Sequence, residues 1–314
     1  MTEEGFVKSI CISAKKGVRK YQVESAYMEK NKGILNDAHG DGGFRQVSLL
    51  SNVLIEEFAN ENSIKIDDGI FGENIITEGL NLSDFKKRTE FQIGGCSRIL
   101  IVQHGKECHD NNCPIGQQTG KCLMPESGTF VKVLSSGELH PGQRISKLRD
   151  QVFLIGFITI SDKASSGARA DRTLETMQNS LLNTEYELID HAVVPDEPSL
   201  IEKKILNMTD FQYIDLVITC GGTGLSIRDI TPEVTKSIIS REIPGIAEIL
   251  RAESYKITPY SSLSRGIAGT RKKSIIVNLP GSPKAVKESI PILLPMLDHA
   301  IIKVQGDTEE CGID

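Results

Sequence analysis

Residues 217–235 read Val217-Ile218-Thr219-Cys220-Gly221-Gly222-Thr223-Gly224-Leu225-Ser226-Ile227-Arg228-Asp229-Ile230-Thr231-Pro232-Glu233-Val234-Thr235. The apolar run at 216–218 predicts a short buried strand. A glycine turn follows, and then a helix start, with Thr231 placed to cap, Pro232 suited to the first helical position and Glu233 complementing the positive end of the helix dipole. Strand, glycine turn and helix N-terminus together bring free backbone N–H groups to one place with no Cβ in the way, which suits an anionic ligand. A glycine cluster after a strand is by itself only a tight turn. Here Arg228 and Asp229 set both signs of charge beside it, and the ligand-site reading is preferred.

Working outward, the second half of the chain alternates strands and helices. Strands are expected at 152–160, 186–194, 214–219 and 274–279. Helices are expected at 172–182, 199–208, 232–240, 244–253 and 283–299. Continuous apolar strands with crossover helices predict an α/β domain, a mostly parallel sheet covered by helices on both faces. Ligands of such sheets bind beyond the carboxyl ends of the strands. Those ends carry Ser161-Asp162, Pro195-Asp196-Glu197, Gly221 to Asp229 and Pro280-Gly281-Ser282-Pro283. Asp162, Asp196 and Asp229 are candidate ligands for Mg²⁺, which prefers oxygen donors and bridges carboxylates to phosphates. No G-x-x-x-x-G-K-[ST] sequence is present, so the site is not of Walker type. His191 is read as structural.

The first half has many short strands and glycine turns, which predicts a β-rich barrel or sandwich. An opening strand is expected at 6–13. The polar loop 39–48 should feed a helix at 49–60 with Leu50, Val53, Leu54 and Phe58 on one face. His39 and Arg45 in that loop are candidates to grip an anion, against the alternative of a surface loop with solvated charges. Further strands at 98–103 and 129–134 bracket His104, Lys106, Cys108, His109, Cys113 and Cys122. Three readings of this cluster stand: a zinc site lacking the usual paired spacing, a reactive Cys108 thiolate favoured by His104, Lys106 and His109, or ordinary loop cysteines.

At 314 residues the chain has room for two domains, placed at 1–148 and 149–314 across the charged seam 146–151. Hydrophobic content of 39% and charged content of 25% are those of a globular protein. A net charge of -6 argues against nucleic acid as a partner. No apolar run approaches the roughly 20 residues that span a bilayer, and the acidic start lacks a secretory n-region, so no membrane and a cytoplasmic location are expected. Seven cysteines in such a chain do not read as a disulfide framework.

Two resemblances follow from these motifs. Residues 5–147 resemble a MOSC domain through the 39–48 loop, Gly72-Glu73-Asn74-Ile75, Gly105-Lys106-Glu107-Cys108-His109 and Gly137-Glu138-Leu139-His140-Pro141-Gly142. That resemblance implies a β-rich fold binding or sulfurating a form of the molybdenum cofactor, with Cys108 as carrier and Cys113 and Cys122 as alternatives. Residues 152–305 are similar to the MogA/MoaB-type molybdopterin-binding domain. The motifs are Ser161-Asp162-Lys163-Ala164-Ser165-Ser166-Gly167, Gly221-Gly222-Thr223-Gly224, Arg228-Asp229-Ile230-Thr231-Pro232-Glu233, Leu263-Ser264-Arg265-Gly266 and Leu279-Pro280-Gly281-Ser282-Pro283.

This second resemblance implies transfer of AMP from Mg-ATP to molybdopterin. Asp196 and Asp229 would be the acidic catalytic positions, Asp229 also positioning Mg²⁺. Gly221, Gly222, Thr223, Gly224, Gly281 and Ser282 would cradle phosphate, and Ser264 and Arg265 would meet the pterin or its phosphate. It also implies a homotrimer, with molybdenum-insertion proteins or molybdoenzymes as onward partners. The reading is a fused enzyme of molybdenum cofactor biosynthesis. The alternatives are a non-catalytic cofactor carrier and a zinc-stabilised interaction module.

Overall fold

The computed structural model describes residues 3–106 and 114–306. The chain divides into two compact units, Met1–Val152 and Phe153–Asp314.

The strands of the first unit are, in chain order, β1 (Glu4–Ile12), β2 (Tyr21–Val23), β3 (Ala26–Glu29), β4 (Gly33–Ile34), β5 (Val47–Ser51), β6 (Ile75–Glu78), β7 (Glu90–Ile93), β8 (Ser97–His104), β9 (Thr129–Ser135), β10 (Gly137–Leu139) and β11 (Arg144–Arg149). The principal sheet runs β11-β7-β8-β9-β5-β6-β1-β2, and the additional pairing of β11 with β1 closes it into a barrel. Closure removes the edge strands that an open sheet leaves unpaired. β3, β4 and β10 form a small second sheet. Inside the barrel Ile10, Phe91, Ile99, Val131, Val133 and Ile145 are fully buried.

The expected helix at 49–60 begins later, at Asn52, and runs to Asn62. Val47 to Ser51 instead form a strand buried at every residue, paired with β6 and β9. The helical phase shifts accordingly: Asn52, Ile55 and Phe58 face inward while Val53 is exposed. A short apolar run reads equally well as strand or helix, and the barrel's need for a partner between β6 and β9 decides it.

The Gly72-Glu73-Asn74 segment braces this barrel. Asn74 accepts hydrogen bonds from the N–H and the hydroxyl of Ser48 and donates from Nδ2 to the Cys11 carbonyl. Glu73 is fully buried, takes the Gly69 N–H at 2.6 Å on one oxygen and, among the described residues, leaves the other without a partner. Burial is the main cause that pushes its carboxyl up to about 7.

In the second unit the strands are β12 (Phe153–Ile160), β13 (Tyr186–Val194), β14 (Leu216–Cys220), β15 (Arg241–Glu242), β16 (Ala268–Arg271) and β17 (Ser274–Leu279), in the order β13-β12-β14-β17-β16-β15. The pairs β13–β12, β12–β14 and β14–β17 are parallel, whereas β17–β16 and β16–β15 are antiparallel. The sheet is therefore mixed, parallel from β13 to β17 with an antiparallel edge. The antiparallel edge escapes sequence reading because β15 has two residues and β16 is the small, polar run Ala268-Gly269-Thr270-Arg271. β12, β14 and β17 are buried at every position. Gly156 interrupts the apolar β12 because a Cβ there would stand 2.6 Å from Met208 Sδ. Helices occupy Thr173–Ser180, Pro198–Leu206, Thr231–Ile238, Pro244–Tyr255 and Pro283–Val304. Among the described residues no helix is long and apolar enough to cross a membrane.

Glu73 makes the first unit's stability depend on pH with a defined sign. Its folded carboxyl titrates near 7, above the ordinary value of 4.5, so the folded chain holds a proton that the unfolded chain has lost. Stability should therefore fall as pH rises from about 4.5 to about 7. Glu73→Gln should flatten that dependence and raise the melting temperature at pH 8, measured by thermal denaturation; a native-like pH profile in the variant would show that Glu73 does not carry it.

Candidate functional site

Four loops leave the carboxyl ends of the parallel strands of the second unit and meet around a cavity of about 770 Å³. After β12 comes Ser161, whose N–H bonds the Val194 carbonyl and whose hydroxyl accepts from Ala164 N–H. After β13 comes Asp196. The two loops clasp one another: Asp162 N–H donates to Asp196 at 3.1 Å, and Asp196 N–H donates to Asp162 at 3.0 Å. The turn 221–224 follows β14, and Pro280, Gly281 and Ser282 follow β17, with Gly221 N–H donating to the Leu279 carbonyl.

Glycine is required in this turn by both conformation and space. Gly221 and Gly222 have φ of 119° and 62°, where side-chain-bearing residues are strained. A Cβ on Gly221 would collide with the Ile160 carbonyl. On Gly222 it would collide with Thr231 Oγ1 and stand 3.1 Å from Asp196 Oδ1, and on Gly224 it would stand 2.9 Å from Asp229 Oδ2. The bare backbone thus lets both carboxylates press against the turn. A Cβ on Gly281 would lie 3.0 Å from Gly221 Cα, so the third and fourth loops pack backbone to backbone.

Thr231 does not act as the helix cap. The helix begins at Thr231 itself, with Ile230 before it, and the threonine hydroxyl is buried beside Gly222 with no hydrogen-bond partner among the described residues. Its N–H bonds the Gly222 carbonyl, fastening the helix to the turn. Ser282 does cap, accepting from Ala285 N–H at the head of Pro283–Val304. That helix points the positive end of its dipole at the cavity.

The residues expected at the site divide into two sets. Ser161, Asp196, Gly221, Gly222, Thr223, Gly224, Asp229, Ser264, Pro280, Gly281 and Ser282 line the cavity, whereas Asp162, Arg228 and Arg265 do not. Arg228 holds Asp162 through Nε and Nη2 at 2.9–3.2 Å and reaches Glu197 at 2.9 Å. Arg265 donates from Nε to the Gly224 carbonyl at 2.7 Å, bonds the Asp229 carbonyl and pairs with Glu233. It braces the turn from behind. Asp229 accepts the Ser226 N–H at 2.8 Å, which fixes the loop that carries it.

These partners set the carboxylates apart electrostatically. The Arg228 guanidinium, helped by the Asp196 N–H, holds the Asp162 carboxyl below the usual range. Burial raises the Asp196 carboxyl, and the charges of Asp162 and Asp229 raise it further against the Asp162 N–H and Arg228. Sequence reasoning missed Arg169, Arg251, Lys284 and Glu288, which also line the cavity. Arg169 reaches the Ser161 hydroxyl at 3.3 Å. Its signal was its place just past Ser165-Ser166-Gly167. Lys284 and Glu288 had only their place in the first turns of a helix beside the Pro280–Pro283 motif.

The remaining candidates belong to the first unit. His39 sits 3.4 Å from the buried Asp37, and Arg45 lies over the Phe130 ring at 5.4 Å. His104 has both ring nitrogens engaged, with Phe85 O at 2.8 Å and Thr129 Oγ1 at 3.3 Å, and burial lowers its pKa, so it supplies no positive charge near neutrality. Cys108, His109 and Cys113 lie outside the described residues. Among the described residues Cys11, Cys96, Cys122 and Cys220 form no disulfide, and no cluster of three metal-ligating side chains is present. Cys220 is buried, and that burial pushes its thiol up to about 12.

Residues 156–299 match the family described as a probable molybdopterin binding domain, and residues 36–146 match the MOSC domain. A molybdopterin adenylyltransferase of Helicobacter pylori strain J99 is 40% identical over 161 residues, covering 50% of this chain and 90% of that protein. One of Escherichia coli strain K12 is 41% identical over 139 residues, covering 43% of this chain and 71% of that protein. The crystal structure of the molybdopterin biosynthesis enzyme MoaB from Thermus thermophilus is 43% identical, covering 50% of this chain and 98% of that one, with a TM-score of 0.48. With two independent stretches matched, the chain belongs to the molybdopterin-binding domain family through residues 156–299 and carries a MOSC domain at 36–146.

Proposed function

We propose that the second unit adenylylates molybdopterin with Mg-ATP, releasing pyrophosphate, within molybdenum cofactor biosynthesis. The carrying observation is the convergence of four strand-end loops on one cavity that offers backbone N–H groups, three cations and, beside the glycine turn, the two carboxylates Asp196 and Asp229. Relatives named molybdopterin adenylyltransferase at about 40% identity support the reading. The molybdopterin phosphate would attack the α-phosphorus of ATP as the bond to the β-phosphate oxygen breaks. Such a transfer needs mainly positioning and charge neutralisation. The turn 221–224 and the amides at 281–282 would hold phosphate oxygens. Arg169 and Lys284 would balance the charge of the departing pyrophosphate.

The oxygen-only donor set and the repulsion between Asp196 and Asp229 fit Mg²⁺. When bound, the ion would neutralise phosphate charge between these two carboxylates. Asp162 would join them only by releasing Arg228. Helices on both faces of the sheet belong to the same proposal, supported by burial of every residue of β12. A homotrimer, a cytoplasmic location and onward transfer to molybdenum-insertion proteins or molybdoenzymes complete it. For the first unit we propose binding or sulfuration of a cofactor form, with Cys108 as carrier and with His39 and Arg45 gripping an anionic group.

Pyrophosphate release that requires ATP, Mg²⁺ and molybdopterin should fall at least ~100-fold in Asp229→Ala while molybdopterin is still retained. A native chain that retains molybdopterin but releases no pyrophosphate would make the carrier reading correct. Arg228→Met removes a positive charge that lowers the Asp196 carboxyl, so Asp196 should titrate higher still and the acid limb of the pH–rate profile should move up. A limb that stays put or moves down would dissociate Asp196 ionisation from the rate. After incubation with a persulfide donor, whose outer sulfur passes to the cysteine thiolate as the donor thiol leaves, the native chain should carry sulfur that cyanide releases as thiocyanate, and Cys108→Ser should lose it. Loss in Cys113→Ser instead would move the carrier role to that residue.

A further inference from the structure

The cavity has two chemically opposite ends. Its anion end is the glycine turn with the head of the helix Pro283–Val304, joined where Gly281 packs on Gly221. From there the helix runs along the cavity wall. Rising about 1.5 Å per residue, it carries Glu288 about 9 Å past Ser282. Lys284, Ala285, Glu288 and Ser289 line the cavity at the spacing of a single helical face. The helix Pro244–Tyr255 also lines the cavity: Ala247 and Leu250 give an apolar surface against which a flat ring can lie, and Arg251 beside them donates to the Gly266 carbonyl.

Glu288 is not one of the carboxylates that meet at the glycine turn, and a carboxylate cannot face a phosphate directly. The Glu288 side chain is 22% exposed, and among the described residues its one charged contact is Lys284 Nζ at 3.8 Å, too long for a hydrogen bond. Lys284 itself is 70% exposed and can serve the anion end. Glu288 is left as an acceptor pair about 9 Å along the helix from the end that takes phosphate.

We propose that Glu288 is the specificity residue for the pterin ring, its two oxygens accepting from the 2-amino group and N3–H of the pyrimidine edge. This assignment rests on the molybdopterin reading of the cavity. The two donors lie side by side and match a carboxylate in the way a guanidinium does, which makes the contact charge-assisted and directional. Adenine offers no such pair: its amino group stands beside N1, a lone pair that the carboxylate repels. Glu288 therefore sorts the two substrates of the transfer, admitting pterin to its own end and turning the nucleotide towards the glycine turn.

The test is steady-state pyrophosphate release with molybdopterin and ATP varied in turn, together with inhibition by pterin and by lumazine, which has the same fused ring but oxygen in place of the 2-amino group. Glu288→Gln keeps the side chain's shape and replaces one acceptor by a donor. It should raise KM for molybdopterin roughly 10- to 100-fold and leave KM for ATP unchanged. The native chain should prefer pterin to lumazine, and both Glu288→Gln and Glu288→Ala should lose that preference. A native pterin preference, or a native KM for molybdopterin, in both variants overturns the assignment of Glu288 and leaves the adenylylation intact. A native chain that releases no pyrophosphate overturns the transfer reading instead, and a fluorescence titration with pterin then decides Glu288: equal affinity in native chain and variants refutes it.

Discussion

The site depends on the backbone contact between the turn 221–224 and its surroundings. Gly221 abuts the Ile160 carbonyl, Gly222 abuts Thr231 and Asp196, and Gly281 abuts Gly221. These contacts draw the ends of β12, β14 and β17 together, and the clasp between Asp162 and Asp196 adds the end of β13. Any side chain at Gly221 or Gly222 would part these loops, and positive φ at both excludes most residues independently. Two requirements thus fall on the same two residues, which makes the turn the least substitutable part of the cavity wall.

The electrostatics follow from how the arginines are used. Arg228 and Arg265 lie outside the cavity and hold its walls, one on Asp162 and Glu197, the other on the carbonyls of Gly224 and Asp229. Arg169, Arg251 and Lys284 line the cavity, and Arg251 also donates to the Gly266 carbonyl. With Asp162 already paired, Asp196 and Asp229 are left to repel one another across the turn. A carboxylate raised by its neighbours is poised for a cation or a proton, whereas a bidentate ion pair such as Asp162–Arg228 keeps its geometry and little else, since both partners are about half exposed.

The first unit organises its polar groups differently. Its buried Lys20–Asp37 pair, Asn74 and Glu73 tie strands and loops of a closed barrel together. Asp37 is held well below the usual carboxylate range by His39 and Lys20, against the burial that opposes it. Of the conspicuous motifs there, Gly72-Glu73-Asn74 is architectural: Asn74 and one Glu73 oxygen bond backbone groups of the first unit itself. The signal that makes a motif stand out in a sequence does not distinguish a brace from a ligand site.

What the sequence determined by itself was local and periodic. The strands β12, β13, β14 and β17, helices beginning near Ser199, Pro244 and Pro283, and the loop at each parallel strand end were legible because each is encoded by neighbouring residues. Asp196, Asp229 and the glycine turn could be placed in one site because parallel strands send their carboxyl ends to the same edge. Tertiary structure decided what depends on distant partners. It made Val47–Ser51 a strand, because β6 and β9 needed one between them, and it buried the Thr231 hydroxyl that should have capped a helix. It turned Arg265 to the back of the turn and brought Lys284 and Glu288, ordinary residues on an ordinary helix, to face the cavity. A side chain's type is written in the chain, but the group it meets is set by how sheet and helices pack.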